Sequence, residues 1–507
     1  MNALANNSNG THRPTLRELL RGLVSDAVLA QVPLQPVTAL TLDSRNVQAG
    51  GVFLALPGLQ RHGLDYAVQA LANGASLVLW EPTPDRVATS LTGAHLVAIP
   101  QLSNIVGQLA DRFYAQPSAA LNIAAVTGTN GKSTTAYLIA EAAESCGIAA
   151  GYSGTVGYGR ITELKPATHT TPDALSMHRQ LAELRELGAR AVGIEVSSHA
   201  LHQQRIAAVR VDTAVFTNLS RDHLDYHGSM QAYGEAKALL FQTPRLRHRV
   251  INADDAFGRE LLETSSTATA TTAFSCTAAF SAPRVLRARD VRLSAAGIEL
   301  EITGSFGEAQ LRSTLLGRFN AENLLATLAV LLGWDISLTR AVEALEQAAA
   351  PPGRMEVHRD ASGKLAVIDY AHTPDALEKA LQVLRAHCRG KLICVFGCGG
   401  DRDSGKRPQM GAVAQRWSDH IILTNDNPRS EDPQQIIDDI QAGTVASADV
   451  RVEMDRAKAI ECALELAQAP DIVLIAGKGH EDYQLIGFVK HHFSDREIVQ
   501  AYMRRVV

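Results

Sequence analysis

The stretch LNIAAVTGTNGKSTTAYLIAEAAESCG, residues 121–147, decides how the chain is read. LNIAAVTG is an apolar run of strand length. GTNGKST is a glycine-containing turn. TAYLIAEAAESCG carries apolar residues at helical spacing. A strand that turns through glycines into a helix presents backbone N–H groups where the helix dipole favours an anion. Gly128, Thr129, Asn130, Gly131, Lys132, Ser133 and Thr134 are therefore the candidate nucleotide-phosphate contacts. Lys132 is long enough to meet a terminal phosphate, and the Ser133 hydroxyl suits Mg²⁺. The usual spacing G-x-x-x-x-G-K-[ST] is not met, because Val126 stands where its first glycine belongs. A glycine turn with no ligand is the plain alternative, and motors, switches, kinases and ligases all use such loops.

Working outward, RAVGIEV (190–196), DTAVFTN (212–218) and HRVINAD (248–254) are further strand-like runs between helical stretches. That alternation predicts a parallel sheet with right-handed crossovers. The first run leads into Glu195, Ser197, Ser198 and His199. The second leads into Asn218, Ser220, Arg221, Asp222, His223 and Asp225. Parallel strands bring both groups toward the phosphate loop, where carboxylate, imidazole and hydroxyl groups suit Mg²⁺ and phosphoryl charge. A histidine–carboxylate zinc site is the competing assignment. Lys237 falls in a helical stretch, SMQAYGEAKALLF, and on spacing alone reads as a solvated lysine. Residues 266–315, rich in Ala, Ser and Thr, read as antiparallel strands added to the second domain, and 320–350 as helices.

Before the loop, TALTLDSRNVQAGGVFLALPG (38–58), ASLVLW (75–80) and HLVAIP (95–100) read as strands of a small α/β unit. After it, Pro351-Pro352-Gly353 punctuates the chain. Four buried-strand runs follow: KLAVIDY, KLICVFG, HIILTND and DIVLIAG. They end in AHTPDA, CGGDRDSGKR, NPRSEDP and KGHEDY. Ligands of open α/β sheets bind beyond the carboxyl ends of the strands, so all four polar groups gather on one edge. The fold class is α/β with three domains. A small N-terminal α/β domain spans 1–104, a central phosphate-loop ATPase-type parallel sheet 105–350, and a C-terminal Rossmann-like domain 351–507.

Composition narrows the function classes. The 507 residues are 46% hydrophobic and 20% charged, ordinary for a globular protein. A net charge of -5 argues against nucleic-acid binding by bulk phosphate neutralisation. The six cysteines form no CxxC pair, which disfavours a zinc ribbon or a disulfide framework. No apolar run approaches the eighteen or so residues of a membrane span. The N-terminus lacks a basic-then-apolar signal pattern, so a cytoplasmic location is expected.

Taken together, TGTNGKST, EVSSHAL, TNLSRDHLDYHG with Tyr233-x-x-x-Lys237, LLGRFNAENLLA, PPGRMEV, DYAHTPDAL, FGCGGDRDSGKRP, TNDNPR and GKGHEDYQ resemble the Mur ligase family, in the family's order and over essentially the whole chain. The resemblance implies an ATP-dependent ligase of wall-precursor synthesis, acting on UDP-MurNAc-L-Ala-D-Glu. Its acceptor would be meso-2,6-diaminopimelate, because the family's diaminopimelate-adding members carry a DNPR segment, here Asp426-Asn427-Pro428-Arg429. It also implies nucleotide-sugar contacts at Leu42, Ser44, the loop from Leu59 to Arg61, Thr170, Thr171, Ser197, Gln203 and Arg205. Ser133 and Glu195 would hold one Mg²⁺. His223 and Lys237, as a CO₂-derived carbamate, would hold another. ATP would phosphorylate the glutamyl carboxylate, with Lys132 and Arg354 neutralising charge. Asp369 and His372 are weaker candidates for contact with the nucleotide. The enzyme would act as a monomer.

The far amino-acid head of diaminopimelate gives the acceptor site a physical requirement. Its carboxylate suits Arg402 and Arg429, and its ammonium suits Asp426 and Glu481, with Gly477 alongside. Lysine lacks that carboxylate and would leave a buried guanidinium unpaired. Three competing readings are a folylpolyglutamate- or cyanophycin-type ligase, a phosphate-loop switch or nucleic-acid motor, and a catalytically silent nucleotide-fold module.

Overall fold

The computed structural model describes residues 13–58, 60–86, 95–167, 169–264, 269–277, 280, 282–445 and 449–505. Leu59, one of the expected sugar contacts, lies outside them. By compactness the chain divides into two units interleaved in sequence. The first comprises Met1–Thr127, Ile148–Ala214 and His223–Arg247. The second comprises Gly128–Gly147, Val215–Asp222 and His248–Val507. Among the described residues no helix is long and apolar enough to cross a membrane.

In the first unit, strands Leu40–Thr41, Val52–Ala55, Leu77–Trp80 and Leu96–Ala98 form a four-stranded parallel sheet in that order. Side chains alternate along a strand. Val52 and Leu54 therefore join one core with Leu16, Leu20 and Leu109, while Phe53 and Ala55 join another with Ala67 and Ala70. The opening helix, Leu16–Leu20, is set by a capping box between Thr15 and Glu18. In the same unit Asn122–Thr127 pairs in parallel with Ala191–Glu195, which pairs in parallel with Ala150–Gly154. Val126 lies opposite Glu195 in that register. The valine-for-glycine departure thus falls inside a buried strand, and the loop begins two residues later.

In the second unit the helix Lys132–Ser145 packs on Arg318–Gly333. The stretch expected to be antiparallel is so only in part. Ala270–Ser275 pairs in parallel with both His248–Asn252 and Arg284–Ser294. The helix Ala256–Glu263 supplies the crossover length that a parallel return needs. Antiparallel pairing begins at the turn between Ser294 and Gly297 and continues through Gly297–Gly304 and Gly307–Ser313.

A six-stranded sheet of this unit orders Glu356–Arg359, Leu365–Asp369, Ile472–Ala476, Leu392–Phe396, His420–Leu423 and Val450–Val452. All pairings are parallel except the first. Apolar clusters cover both faces, which is why these strands read as unbroken hydrophobic runs. The last strand inserts between Leu365–Asp369 and Leu392–Phe396. Residues 477–481 therefore emerge between the loops that begin at Tyr370 and Gly397.

Glu141, on the helix Lys132–Ser145, accepts a hydrogen bond from Ala349 N at 3.0 Å. Burial pushes its carboxyl up to about 7, against the pull of that N–H. The folded state therefore keeps this proton to higher pH than the unfolded chain, and stability falls as pH rises from about 4.5 to about 7. Glu141→Gln should stabilise the protein at pH 8 by about 1–3 kcal/mol, with a smaller gain at pH 5, in urea unfolding at the two pH values. An equal effect at both would contradict the assignment.

Candidate active site

The phosphate loop is held from below by residues 217–220. Thr217 Oγ1 donates to Asn130 O at 2.6 Å, and Asn218 Oδ1 accepts from Asn130 N at 2.9 Å. Thr129 N donates to Asn218 O at 2.8 Å, and Ser220 N donates to Thr129 Oγ1 at 2.9 Å. Gly128 adopts φ +153° and packs against Thr217. The Lys132 ammonium folds back onto Gly128 O (3.0 Å) and Thr129 O (2.8 Å), curled over the loop where a phosphate would sit. Of the residues expected near the loop, Asn218 and Ser220 meet it through these bonds.

In the first unit Glu195 is completely buried. Its carboxylate accepts from the Tyr152 hydroxyl and from Thr155 N at 2.7 Å, with Thr155 Oγ1 3.2 Å from its second oxygen. Around it the expected sugar contacts converge. Thr170 Oγ1 lies 3.0 Å from Thr155 Oγ1, and Thr171 Oγ1 donates to Glu195 O at 2.8 Å. Ser197 N donates to Thr171 Oγ1 at 3.1 Å. Arg205 donates to Thr171 O at 2.8 Å and holds Gln203 Oε1 at 2.7 and 3.0 Å. Leu42 and Ser44 stand elsewhere, at the end of the first strand of the four-stranded sheet. There Ser44 donates to Gln69 at 2.8 Å.

Lys237 overturns the spacing argument. It is 1% exposed, and its ammonium lies 4.3 Å from the centre of the Tyr233 ring. Beside it sits a stack of rings. His199 and His223 have centroids 4.9 Å apart, His199 and Tyr226 4.1 Å, and His227 and Tyr233 5.2 Å. His223 holds a left-handed φ of +52° at the start of the turn Leu224–His227. Burial, followed by neighbouring cations that include Lys237, depresses both His199 and His227 below the ordinary imidazole range. Among the described residues no group of three or more His, Cys, Asp or Glu is placed to hold a metal ion, and the His199 ring meets those of His223 and His227 edge to face.

The strand-end loops of the second unit form another cluster. Lys478 is completely buried; its ammonium meets Glu481 at 2.9 Å and Asn427 Oδ1 at 3.2 Å. Asn427 donates to Glu481 at 2.9 Å and accepts from Leu485 N at 2.9 Å. Arg429, at a left-handed φ of +53°, donates to Gly400 O at 2.6 Å. Its backbone pairs with Leu485 and Gly487 of the hairpin that follows. Arg402 is exposed and, among the described residues, donates to its neighbour Asp401 O at 3.3 Å. Burial raises the Asp426 carboxyl, against Arg456 and Lys478. A side chain at Gly353 would overlap the backbone of Gly479 and His480, so the PPGRM turn lies directly against the last strand's loop. Arg354 stacks 5.2 Å from the Tyr370 ring, and its buried Nε has no hydrogen-bond partner among the described residues, which fits an anionic ligand. Asp369 is spent on Met355 N (2.8 Å) and Ala371 N (2.9 Å). His372 bonds Tyr370 O at 2.8 Å and is exposed.

Three family descriptions match in tandem: Mur ligase family, catalytic domain over residues 36–114; Mur ligase middle domain over 126–331; and Mur ligase, glutamate ligase domain over 353–479. A relative from Ectopseudomonas mendocina (strain ymp), named UDP-N-acetylmuramoyl-L-alanyl-D-glutamate--2,6-diaminopimelate ligase, is 48% identical over 90% of this chain and 93% of its own. The chain belongs to the Mur ligase family. A relative of the same name from Coxiella burnetii is 47% identical over 91% of this chain and 94% of its own. A solved structure titled as that diaminopimelate ligase is 39% identical, with a TM-score of 0.72, covering 98% of this chain and 99% of the other. A folylpolyglutamate synthase of Thermotoga maritima, 15% identical with a TM-score of 0.58 over 73% of this chain and 89% of its own, shares the fold alone.

Reading the sequence missed Lys478, although a lysine directly after the buried run DIVLIAG was the available signal. It also missed Tyr152 and Thr155, which orient Glu195; no local pattern marks them. Within this Mur ligase the loop geometry yields a direct test. A methyl group at Gly128 would overlap Thr217 Oγ1. Gly128→Ala should weaken nucleotide binding about 100-fold or more with a normal far-UV spectrum, as read by titration with ADP. Wild-type affinity would contradict the loop assignment.

Proposed function

We infer that this chain is an ATP-dependent acid–amino-acid ligase. It adds meso-2,6-diaminopimelate to the D-glutamyl carboxylate of UDP-MurNAc-L-Ala-D-Glu in peptidoglycan precursor synthesis. The observation that carries this reading is the 48% identity over 90% of the chain to a ligase named for that reaction. In this reading residues 1–104 and the Thr170–Arg205 network bind the UDP-sugar, 105–350 bind ATP, and 351–507 bind the amino acid. The enzyme works in the cytoplasm as a monomer.

A carboxylate will not exchange its oxygen for an amine unaided. One glutamyl oxygen attacks the γ-phosphorus, ADP leaves, and an acyl phosphate forms. The amine of diaminopimelate then attacks the acyl carbon to give a tetrahedral intermediate. Phosphate leaves with the former carboxylate oxygen, and the nitrogen gives up its proton. The β- and γ-phosphates sit at the N-terminus of the helix Lys132–Ser145, and Lys132 swings from its carbonyl partners onto the transferring group. Arg354 supplies its unpaired donor to the same charge.

Mg²⁺ fits the donors at hand. Glu195 is an anionic oxygen ligand whose orientation is fixed by neutral donors, and Mg²⁺ characteristically takes one or two protein oxygens with phosphates and water. Ser133 and Glu195 would hold one ion, His223 and a carbamate on Lys237 the second. Bound there, Mg²⁺ would neutralise phosphate charge during transfer. Burial favours the neutral amine that CO₂ captures. The carbamate also reverses the sign of the charge that Lys237 sets beside His199 and His227. In the acceptor site Arg402 and Arg429 would take the distal carboxylate. Asp426, Asn427, Pro428, Gly477 and Glu481 would line the rest.

Two experiments test the reading. Product mass and phosphate release are measured with ATP, Mg²⁺ and UDP-MurNAc-L-Ala-D-Glu, with diaminopimelate or L-lysine in parallel. Product only with diaminopimelate is expected. Product with lysine instead would overturn the acceptor, and ATP hydrolysis indifferent to wall substrates would favour a switch-type NTPase. Separately, Lys237→Ala should lose about 100-fold or more of the ligation rate, partly restored by added formate or acetate. Full activity without rescue would sink the carbamate.

A further inference from the structure

Arg456 is among the largest fully buried side chains of the described residues. It begins the helix Arg456–Leu466, while its partner Asp495 begins the helix Asp495–Arg505. Both side chains are wholly shielded from solvent. The pair is bidentate: Nε donates to Asp495 Oδ1 at 2.7 Å, and one terminal nitrogen donates to Oδ2 at 2.8 Å. Burial opposes the charge on Arg456, yet Asp495 and then Asp426 outweigh it and hold the guanidinium above its ordinary range.

Stability is a poor reason to keep such a pair, because well-packed apolar residues of similar volume often do as well or better. The other contacts of the guanidinium supply a different reason. It donates to Ala476 O at 3.0 Å and to Asn425 O at 3.4 Å. These carbonyls directly precede Gly477-Lys478 and Asp426-Asn427. The two segments then meet in the Lys478–Asn427–Glu481 cluster. One planar group therefore spans the ends of two strands that are not neighbours in the sheet, and it sets the spacing of the loops that follow. A lysine has the charge but not the fork, and cannot reach Asp495 and both carbonyls together.

We propose that Arg456, locked by Asp495, is a positioning residue for the acceptor amino acid, fixing the separation of the Asp426–Arg429 and Gly477–Glu481 segments from behind. The proposal rests on the ligase reading given above. It places Arg456 in contact with no substrate, and its effect is confined to the acceptor side of the reaction.

The test is steady-state kinetics of Arg456→Lys and Asp495→Asn, with separate KM values for diaminopimelate, ATP and the UDP-linked dipeptide, and with Tm recorded alongside. KM does not depend on the fraction of folded enzyme, so it separates positioning from simple instability. In both variants KM for diaminopimelate should rise about tenfold or more, while the other two KM values stay within about twofold. Asp495→Asn keeps the shape and one acceptor oxygen, so it decides the question if Arg456→Lys does not fold. A lowered Tm and kcat with an unchanged KM for diaminopimelate, or a parallel rise in all three KM values, would overturn the positioning role. Wild-type enzyme that makes no tripeptide product would instead sink the ligase reading itself, and the same assay reports that outcome separately.

Discussion

The turn of residues 128–131 is held stiff by one neighbouring strand end, residues 217–220. Thr217, Asn218 and Ser220 take up the polar groups of Thr129 and Asn130. That arrangement needs a parallel sheet, since only parallel strands deliver successive loops to the same edge. It also accounts for Val126. Once the strand end braces the loop, a first glycine is not required to turn it, and a buried valine adds to the core instead.

The molecule repeatedly buries charged side chains, at strand ends and within helices alike. Glu195, Lys237, Lys478 and Arg456 are each at most 1% exposed. A charge so placed costs several kcal/mol unless polar partners surround it. Each of these groups is met by polar or aromatic neighbours: Tyr152 and Thr155 for Glu195, the Tyr233 ring for Lys237, Glu481 and Asn427 for Lys478, and Asp495 for Arg456. Low dielectric strengthens whatever such groups touch.

Much of this was legible from residues alone, and the exceptions follow a pattern. Strands such as Leu365–Asp369 and Ile472–Ala476 declared themselves, because both faces are covered and the run is uniformly apolar. The strand, turn and helix of residues 122–145 were legible because they are formed by residues adjacent in sequence. The burial of Lys237 was not: helical spacing reports a side chain's direction, while the rings that enclose it come from residues 199–233. Lys478 escaped for a related reason, since its partners Asn427 and Glu481 converge only once the last strand inserts between two earlier ones. The parallel pairing of Ala270–Ser275 escaped because alternation marks a strand but says nothing of its partner's direction. Arg402 shows the converse, a residue sound in motif terms whose side chain, among the described residues, donates to its neighbour Asp401.

The central claim is that this chain activates the D-glutamyl carboxylate by phosphorylation before the amine attacks. Isotope transfer tests it most directly. UDP-MurNAc-L-Ala-D-Glu labelled with ¹⁸O in that carboxylate is converted with ATP and diaminopimelate, and the released phosphate is weighed by mass spectrometry. An acyl phosphate route predicts one labelled oxygen in each phosphate formed. Phosphate carrying no label, with tripeptide formed at the normal rate, would contradict the account.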